Sequence, residues 1–281
     1  MAWTTTEHLG TFLGTAGAFL RALPARHSVL LSVADSLERG GSRRYGDDPP
    51  EYGWWTAPDG EVAGAFLRTP PHPVLLSTMP DEAAVALAAR TEIAGAPADG
   101  VNAVRSAAEA YAAAWQRRTG GRLGTAAVHR LHRLAELVPP DPAPPGRARV
   151  AGRRDRALLV DWYASFMRET GSLALDPGKA VDDRLGHGGL SLWEDASGPL
   201  AMAGVTPAVA GTARIASVYT PPELRGRGYA GAVTAEVSRV ACDAGLEVLL
   251  FTDLANPTSN ALYRRLGYRP VEDHLVLSAT G

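Results

Sequence analysis

Apolar positions between residues 200 and 270 change period twice, and each change marks an element. Leu200 to Thr206 and Thr212 to Tyr219 read as strands, the second closed by Thr220-Pro221-Pro222. Ala230, Val233, Val237, Val240, Ala241 and Ala244 then recur at i, i+3, i+4 and i+7, which predicts an amphipathic helix. Between strand and helix stands Arg225-Gly226-Arg227-Gly228-Tyr229-Ala230. The next strand ends near Asp253, and Asn256-Pro257 opens a short helix with Asn256 as N-cap and Pro257 in its first turn.

The same reading applied upstream predicts helices over Thr11–Leu23 and Ser28–Arg39, and a polar loop over Gly41–Pro50. Strands follow at Tyr52–Thr56, Val62–Arg68 and Val74–Ser77, with Pro58-Asp59-Gly60 as a turn. Helices are expected over Asp81–Ala94, with Asp81 as N-cap, and over Val101–Arg118. Gly124–Leu137 fits either a helix or a strand returning to the sheet. Val138–Gly146 holds five prolines in nine residues and reads as a stiff interdomain linker. Beyond it come helices over Arg153–Thr170 and Gly178–Leu185, a glycine join at Gly186–Gly189, and a strand at Leu190–Glu194. The two halves echo each other. Trp55 precedes Gly60 by five residues, as Trp193 precedes Gly198, and the strands that follow lead to Thr69-Pro70 and Thr206-Pro207.

Strand, glycine loop and helix start together make an anion site from backbone alone. The first N–H groups of a helix lack intrahelical acceptors, and aligned peptide dipoles favour negative charge there. Gly226 and Gly228 let the chain turn close to a phosphate. No Lys-Ser/Thr follows the glycines, and Glu247 precedes the core of its strand, so Walker and Rossmann nucleotide sites are disfavoured.

Two spaced patterns resemble the GCN5-related N-acetyltransferase (GNAT) superfamily. One is Arg225-x-x-Gly228-x-Ala230; the other is Asn256…Asn260-x-x-Tyr263…Leu266-Gly267-Tyr268. The resemblance covers roughly residues 150–278. It implies an α/β (α+β) fold of two GNAT-like domains, each a mixed central sheet flanked by helices, the C-terminal one complete. The expected division is a degenerate N-terminal domain at 1–137, a Pro-rich linker at 138–149 and an acetyl-CoA-binding domain at 150–281.

The resemblance also implies roles. Backbone N–H groups of Arg227, Gly228, Tyr229 and Ala230 would cradle the pyrophosphate, with Arg225, Gly226 and the Arg227 side chain at its rim. Val218, Tyr219 and Thr220 would lie along pantetheine at a splayed strand end, and one of their N–H groups would take the thioester oxygen. Asn256, Ser259 and Asn260 would contact the cofactor from the other side. Tyr263 would protonate the departing thiolate, against the alternative of a packed structural tyrosine. The glutamate that some family members carry on the strand before the loop has no counterpart among Arg214, Ser217 and Tyr219. Asp253 is the best carboxylate candidate for the general base, against the alternatives that it caps the loop and that a water relay to backbone carbonyls serves instead. The reaction would be acetyl transfer from acetyl-CoA to a small-molecule or peptide amine in a ternary complex; the alternative is a non-catalytic CoA-binding sensor.

Composition adds limits. The 281 residues suit about two domains. A formal net charge of -2 gives no field for nucleic acid or an anionic membrane, and no apolar run is long enough to span one. With no secretory pattern at the start, a cytoplasmic location is expected, as a monomer or homodimer. Cys242 is the only cysteine and reads as buried helix packing. His129 and His132 stand three apart without a carboxylate or thiol partner in view, so no metal is expected.

Overall fold

The structure, a computed structural model, describes residues 1–90, 100–171 and 176–279. Its elements in chain order are β1 (Ala2–Thr6), α1 (Leu9–Ala22), α2 (Ser28–Gly40), β2 (Glu51–Thr56), β3 (Val62–Arg68), β4 (Val74–Leu76), α3 (Asp81–Ala89), β5 (Gly100–Val104), α4 (Arg105–Thr119) and β6 (Leu123–Leu134). There follow β7 (Arg147–Val150), α5 (Arg156–Thr170), α6 (Pro177–Gly186), β8 (Leu190–Asp195), β9 (Gly198–Val205), β10 (Thr212–Tyr219), α7 (Tyr229–Asp243), β11 (Glu247–Asp253), α8 (Pro257–Arg265) and β12 (Tyr268–Ala279). Each set of ten elements has the order β-α-α-β-β-β-α-β-α-β, so the duplication suggested by the Trp–Gly echo extends over both halves.

The chain forms two compact units. The first comprises Met1–Leu131, Thr252–Ala255 and Val271–Gly281; the second comprises His132–Phe251 and Asn256–Pro270. In the first unit β1, β2, β3 and β4 pair antiparallel in turn, and β4 pairs β5 in parallel. The second repeats this with β7, β8, β9 and β10 antiparallel and β10 parallel to β11. Both hairpins shift register immediately after their tryptophan, between Trp55 and Thr56 and between Trp193 and Glu194. The strand beside β5 is the end of the chain: β12 pairs with it from His274↔Val104 to Ser278↔Gly100.

Packing follows the alternation of each strand. In the first unit Trp3, Trp55, Phe66, Val101, Tyr111, Trp115, Leu275 and Leu277 share one core. In the second, one cluster lies under α7 and α8 around Ile215, Val233, Leu250 and Tyr268, and another under α5 and α6 around Leu159, Leu192 and Met202. Burying a side chain such as Phe66 or Leu192 contributes about 1.5–3 kcal/mol. No helix among the described residues is long and apolar enough to cross a membrane.

Several sequence expectations change. β1 was not anticipated, because a five-residue strand with one buried side chain, Trp3, has no readable alternation. The helix expected from Val101 is the strand β5 followed by α4 from Arg105: Val101, Val104 and Ala108 happen to match helical spacing across the junction. Asp81 is the first helical residue rather than the cap, which is Pro80. That helix ends at Ala89, and residues 91–94 of the expected span lie outside the described residues. Gly124–Leu137 resolves mostly into the strand β6. Cys242 is exposed, one position past the stripe Val233, Val237 and Ala241, and Val240 is exposed with it.

The proline stretch is packed along the second unit. Val138 N–H donates to Leu266 O (3.0 Å), Trp193 Nε1–H donates to Pro145 O (3.0 Å), and β7 begins at Arg147. The compact units interleave in sequence, whereas the division 1–137, 138–149 and 150–281 is linear and describes how the halves follow one another.

His27 ties the first unit together. It is fully buried between α1 and α2, with Nδ1 3.0 Å from Leu20 O, so Nδ1 carries the proton and Nε2 accepts the Thr78 N–H (3.3 Å). Burial holds its pKa below the ordinary 6.5; Arg26 and His274 act in the same direction, and the Leu20 contact and Glu272 oppose. A histidine kept neutral in the fold contributes stability above the unfolded pKa, lost as pH falls toward and through the folded value. His72 and His129, also lowered by burial, add to the same slope. The urea midpoint is therefore expected to fall between pH 7.5 and 5.5, and His27→Gln, which keeps a donor and an acceptor without titrating, to flatten part of that fall.

Candidate functional site

The site expected from the sequence starts where β10 stops behaving as a regular strand. Its parallel ladder with β11 runs from Thr212↔Glu247 to Ile215↔Leu250 and ends there among the described residues. On the other side, Ala216 faces Gly204 but Tyr219 faces Met202, so three steps on β10 match two on β9. This is a β-bulge, and Ser217 within it takes φ 52, a left-handed value rare for a residue with a Cβ. The extra residue changes which face each side chain meets. Ile215 and Val218 pack in the cluster under α7, whereas Tyr219 joins the one under α5 and α6. Without the bulge, Ile215 and Tyr219 would share a face.

The loop leaving β10 turns through a short 3-10 segment, Pro222–Leu224, to Arg225. Arg225 is held on three sides: Nε–H donates to Thr220 O (2.9 Å), one terminal nitrogen lies 2.8 Å from both Glu169 carboxylate oxygens, and the guanidinium lies over the Tyr219 ring. Arg227 donates to Glu223 O (3.2 Å) and is exposed. Gly226 and Gly228 have φ 76 and 86, values that disfavour any residue with a Cβ. Gly228 is the N-cap of α7 with no side chain capping it, and the first intrahelical bond is Ala232 N–H to Gly228 O (3.0 Å). The N–H groups of Tyr229, Ala230 and Gly231 thus have no intrahelical acceptor. Pro144 lies 3.7 Å from where a Gly228 Cβ would stand, and Pro140 and Leu262 close on Gly231.

Asp253 ends β11 and is exposed; its carboxylate accepts the Ala255 N–H (2.8 Å), as a turn-capping aspartate does. Asn256 is the cap expected, with Oδ1 accepting Ser259 N–H (3.0 Å) and Pro257 in the first turn. Asn260 donates from Nδ2 to Asn256 O (2.7 Å), so Asn256, Ser259 and Asn260 form one knot at the helix start. Tyr263 is buried one turn further on, in the cluster under α7, its ring edge-on to Tyr268 at 6.0 Å. Burial raises its pKa above the ordinary phenol value, so it is protonated at any working pH. Tyr268 is fully buried, with its hydroxyl 2.7 Å from Ser238 Oγ.

Within the second unit, then, the structure gathers the bulged end of β10, the glycine loop, the start of α8 and Tyr263 around one helix pair. Sequence reading missed the parts played by Ser217, Glu169, Pro144 and Ser238. A bulge has no local signature, and the other three act through contacts 30 to 84 positions apart in the chain. The counterpart in the first unit is built differently. α3 begins Pro80-Asp81-Glu82, without glycine and with two carboxylates in its first turn. Among the described residues no group of three or more His, Cys, Asp or Glu is placed to hold a metal.

Residues 197–276 match the family model described as FR47-like protein. Solved structures with the same fold include a GNAT-family acetyltransferase from Colwellia psychrerythraea (12% identity, TM-score 0.63, all of both chains covered). A GCN5-related N-acetyltransferase from Sphaerobacter thermophilus matches at 18% identity and TM-score 0.61, over 98% of this chain and 94% of that one. A tandem GNAT protein from the clavulanic acid biosynthesis pathway (without AcCoA) matches at 12% identity and TM-score 0.59, over 99% and 98%. No curated protein sequence matches the chain. The fold is that of the GCN5-related N-acetyltransferases, in tandem. The second half carries the GNAT-type, FR47-like domain.

Gly267, between α8 and β12, tests how tightly this region is built. Its φ is 99, and a Cβ there would overlap the Glu136 carbonyl. Gly267→Ala is expected to destabilise the protein by about 3 kcal/mol or more, read from a denaturant midpoint.

Proposed function

We propose that the chain is an acetyl-CoA-dependent N-acetyltransferase that moves the acetyl group to a primary amine of a small molecule or peptide, by direct attack in a ternary complex. The observation that carries this reading is the bulged end of β10, unpaired with β11 beyond Ile215 and leading straight into the glycine-opened start of α7. The backbone of Val218, Tyr219 and Thr220 is the edge for pantetheine, and an N–H there takes the thioester oxygen as charge develops on it. The N–H groups of Arg227 to Ala230 take the pyrophosphate. Arg225, neutralised by Glu169, acts first as a strut for the loop, while exposed Arg227 supplies charge at its rim. Asn256, Ser259 and Asn260 border the cofactor from α8.

In the reaction the amine nitrogen bonds to the carbonyl carbon and the carbon–sulfur bond breaks. The nitrogen loses one proton and the sulfur gains one. Tyr263 serves the sulfur. Because burial lifts its pKa further above that of a thiol, its first contribution is a hydrogen bond to the developing thiolate, with proton transfer late. Asp253 is the carboxylate assigned to the amine proton. The acceptor reaches a protein we place in the cytoplasm.

One site per chain is proposed, within the half 150–281; residues 138–149 join it to the half 1–137, which is degenerate. Asp81 and Glu82 would repel phosphate at α3, and the Thr78 N–H just beyond β4 is already taken by His27.

Calorimetric titration with acetyl-CoA tests this: about one equivalent is expected, two would make the first half a working site, and none would remove the CoA reading. Gly228→Glu, which sets a carboxylate at the helix start, should abolish binding. Tyr263→Phe should leave acetyl-CoA affinity within about twofold and lower the acetylation rate about 10- to 1000-fold, the range of a lost proton donor; equal turnover would return Tyr263 to packing.

A further inference from the structure

We propose that Tyr268 and Ser238 are positioning residues that hold the Tyr263 hydroxyl at the departing sulfur, an inference that rests on the acetyl-transfer reading. The starting point is what orients Tyr263. Among the described residues no hydrogen bond fixes its hydroxyl, and that oxygen is not one of the fully buried unpaired atoms, so it keeps some exposure although the ring is buried. Its direction is therefore set by ring packing, and the aromatic ring against it is Tyr268, edge-on at 76° with centroids 6.0 Å apart.

Tyr268, in contrast, is fixed by hydrogen bonds in one sense only. Ser238, also fully buried, donates its single hydroxyl proton to Thr234 O (2.7 Å). Its Oγ can then only accept from Tyr268, so the Tyr268 hydroxyl is the donor across the 2.7 Å contact. The sequence Tyr268 to Ser238 to the Thr234 carbonyl is anchored in the backbone of α7, the helix that the glycine loop opens. Rotation of the Tyr268 ring is locked to that helix, and the Tyr263 ring packs edge-on against it.

The alternative is that the pair serves core packing alone. Replacing two hydrogen-bonded partners by apolar groups of like shape is close to neutral for stability. What the pair adds beyond packing is direction, and a loss of direction is measurable at the sulfur.

The experiment compares CoA with desulfo-CoA, which lacks only the sulfur, by calorimetry at pH 7 and pH 9. The wild-type chain should prefer CoA about 3- to 10-fold, a hydrogen bond's worth, and more strongly at pH 9 as the thiol ionises. Tyr263→Phe should remove that preference. Tyr268→Phe leaves Ser238 bonded to Thr234 O and the core filled; it should bind desulfo-CoA like the wild type and lose at least half of the preference for CoA. The double variant Tyr268→Phe/Ser238→Ala, in which no buried hydroxyl of the pair remains, should do the same. Full preference in Tyr268→Phe and in the double variant, with none in Tyr263→Phe, overturns the positioning role and leaves the Tyr263 reading standing. Full preference in Tyr263→Phe overturns both.

Discussion

One additional residue in β10 is the constraint on which the second unit depends. A strand that continued regularly past Ile215 would keep its ladder to β11 and present Tyr219 to the same core as Ile215. The bulge at Ser217 breaks that continuation at the cost of a left-handed residue with a Cβ, a strain of about 1 kcal/mol or more. Three results follow together. Val218 replaces Tyr219 in the core under α7, Tyr219 crosses to the α5 side, and Arg225 finds there both an aromatic face and the Glu169 carboxylate. The backbone at the strand end is left for a partner other than β11.

The duplication shows the same constraint by its absence of effect in the other half. Both units carry the hairpin with its shift after tryptophan, and both lead from a fourth antiparallel strand through a loop to a helix. Only in the second unit does that loop hold two left-handed glycines ahead of an uncapped helix start. In the first, proline and two carboxylates open the helix, and a buried histidine occupies the preceding N–H. The two strand ends thus differ by a handful of side chains on one backbone plan.

Which of these features could be read from the sequence depends on how far each reaches along the chain. Gly226, Gly228, Asn256 and Pro257 impose local backbone chemistry, so their loop and cap were legible and the structure has both. The hairpins were legible for the same reason, since Gly60 and Gly198 mark their turns. β5 and α4 were not separable, because Val101, Val104 and Ala108 keep helical spacing across the junction although the helix starts only at Arg105. The place of β12 beside β5 was beyond any local pattern: Gly100 is required there by a Leu277 carbonyl that arrives 177 residues later in the chain. The prolines of 138–146 looked like a tether because proline lacks a donor, yet Pro145 still offers a carbonyl to Trp193 and Pro144 an apolar face to Gly228.

The charges around the glycine loop sharpen what kind of anion site it would make. Arg225 is already paired with a carboxylate and a carbonyl, and Arg227 is exposed and tied to Glu223 O. An arginine in an exposed pair gives little net field, since solvent and counter-charge screen it. In the proposed site the attraction would therefore fall mainly to peptide dipoles and the N–H groups of Tyr229, Ala230 and Gly231, which are fixed by the helix and would need no rearrangement for an anion. Fixing that helix is the work of its surroundings: Pro140 and Leu262 close on Gly231, and Tyr268 is bonded to Ser238 on the same helix. The cluster under α7 that packs Tyr263 thus also holds the dipoles that the loop exposes, so the two halves of the proposed chemistry share one rigid element.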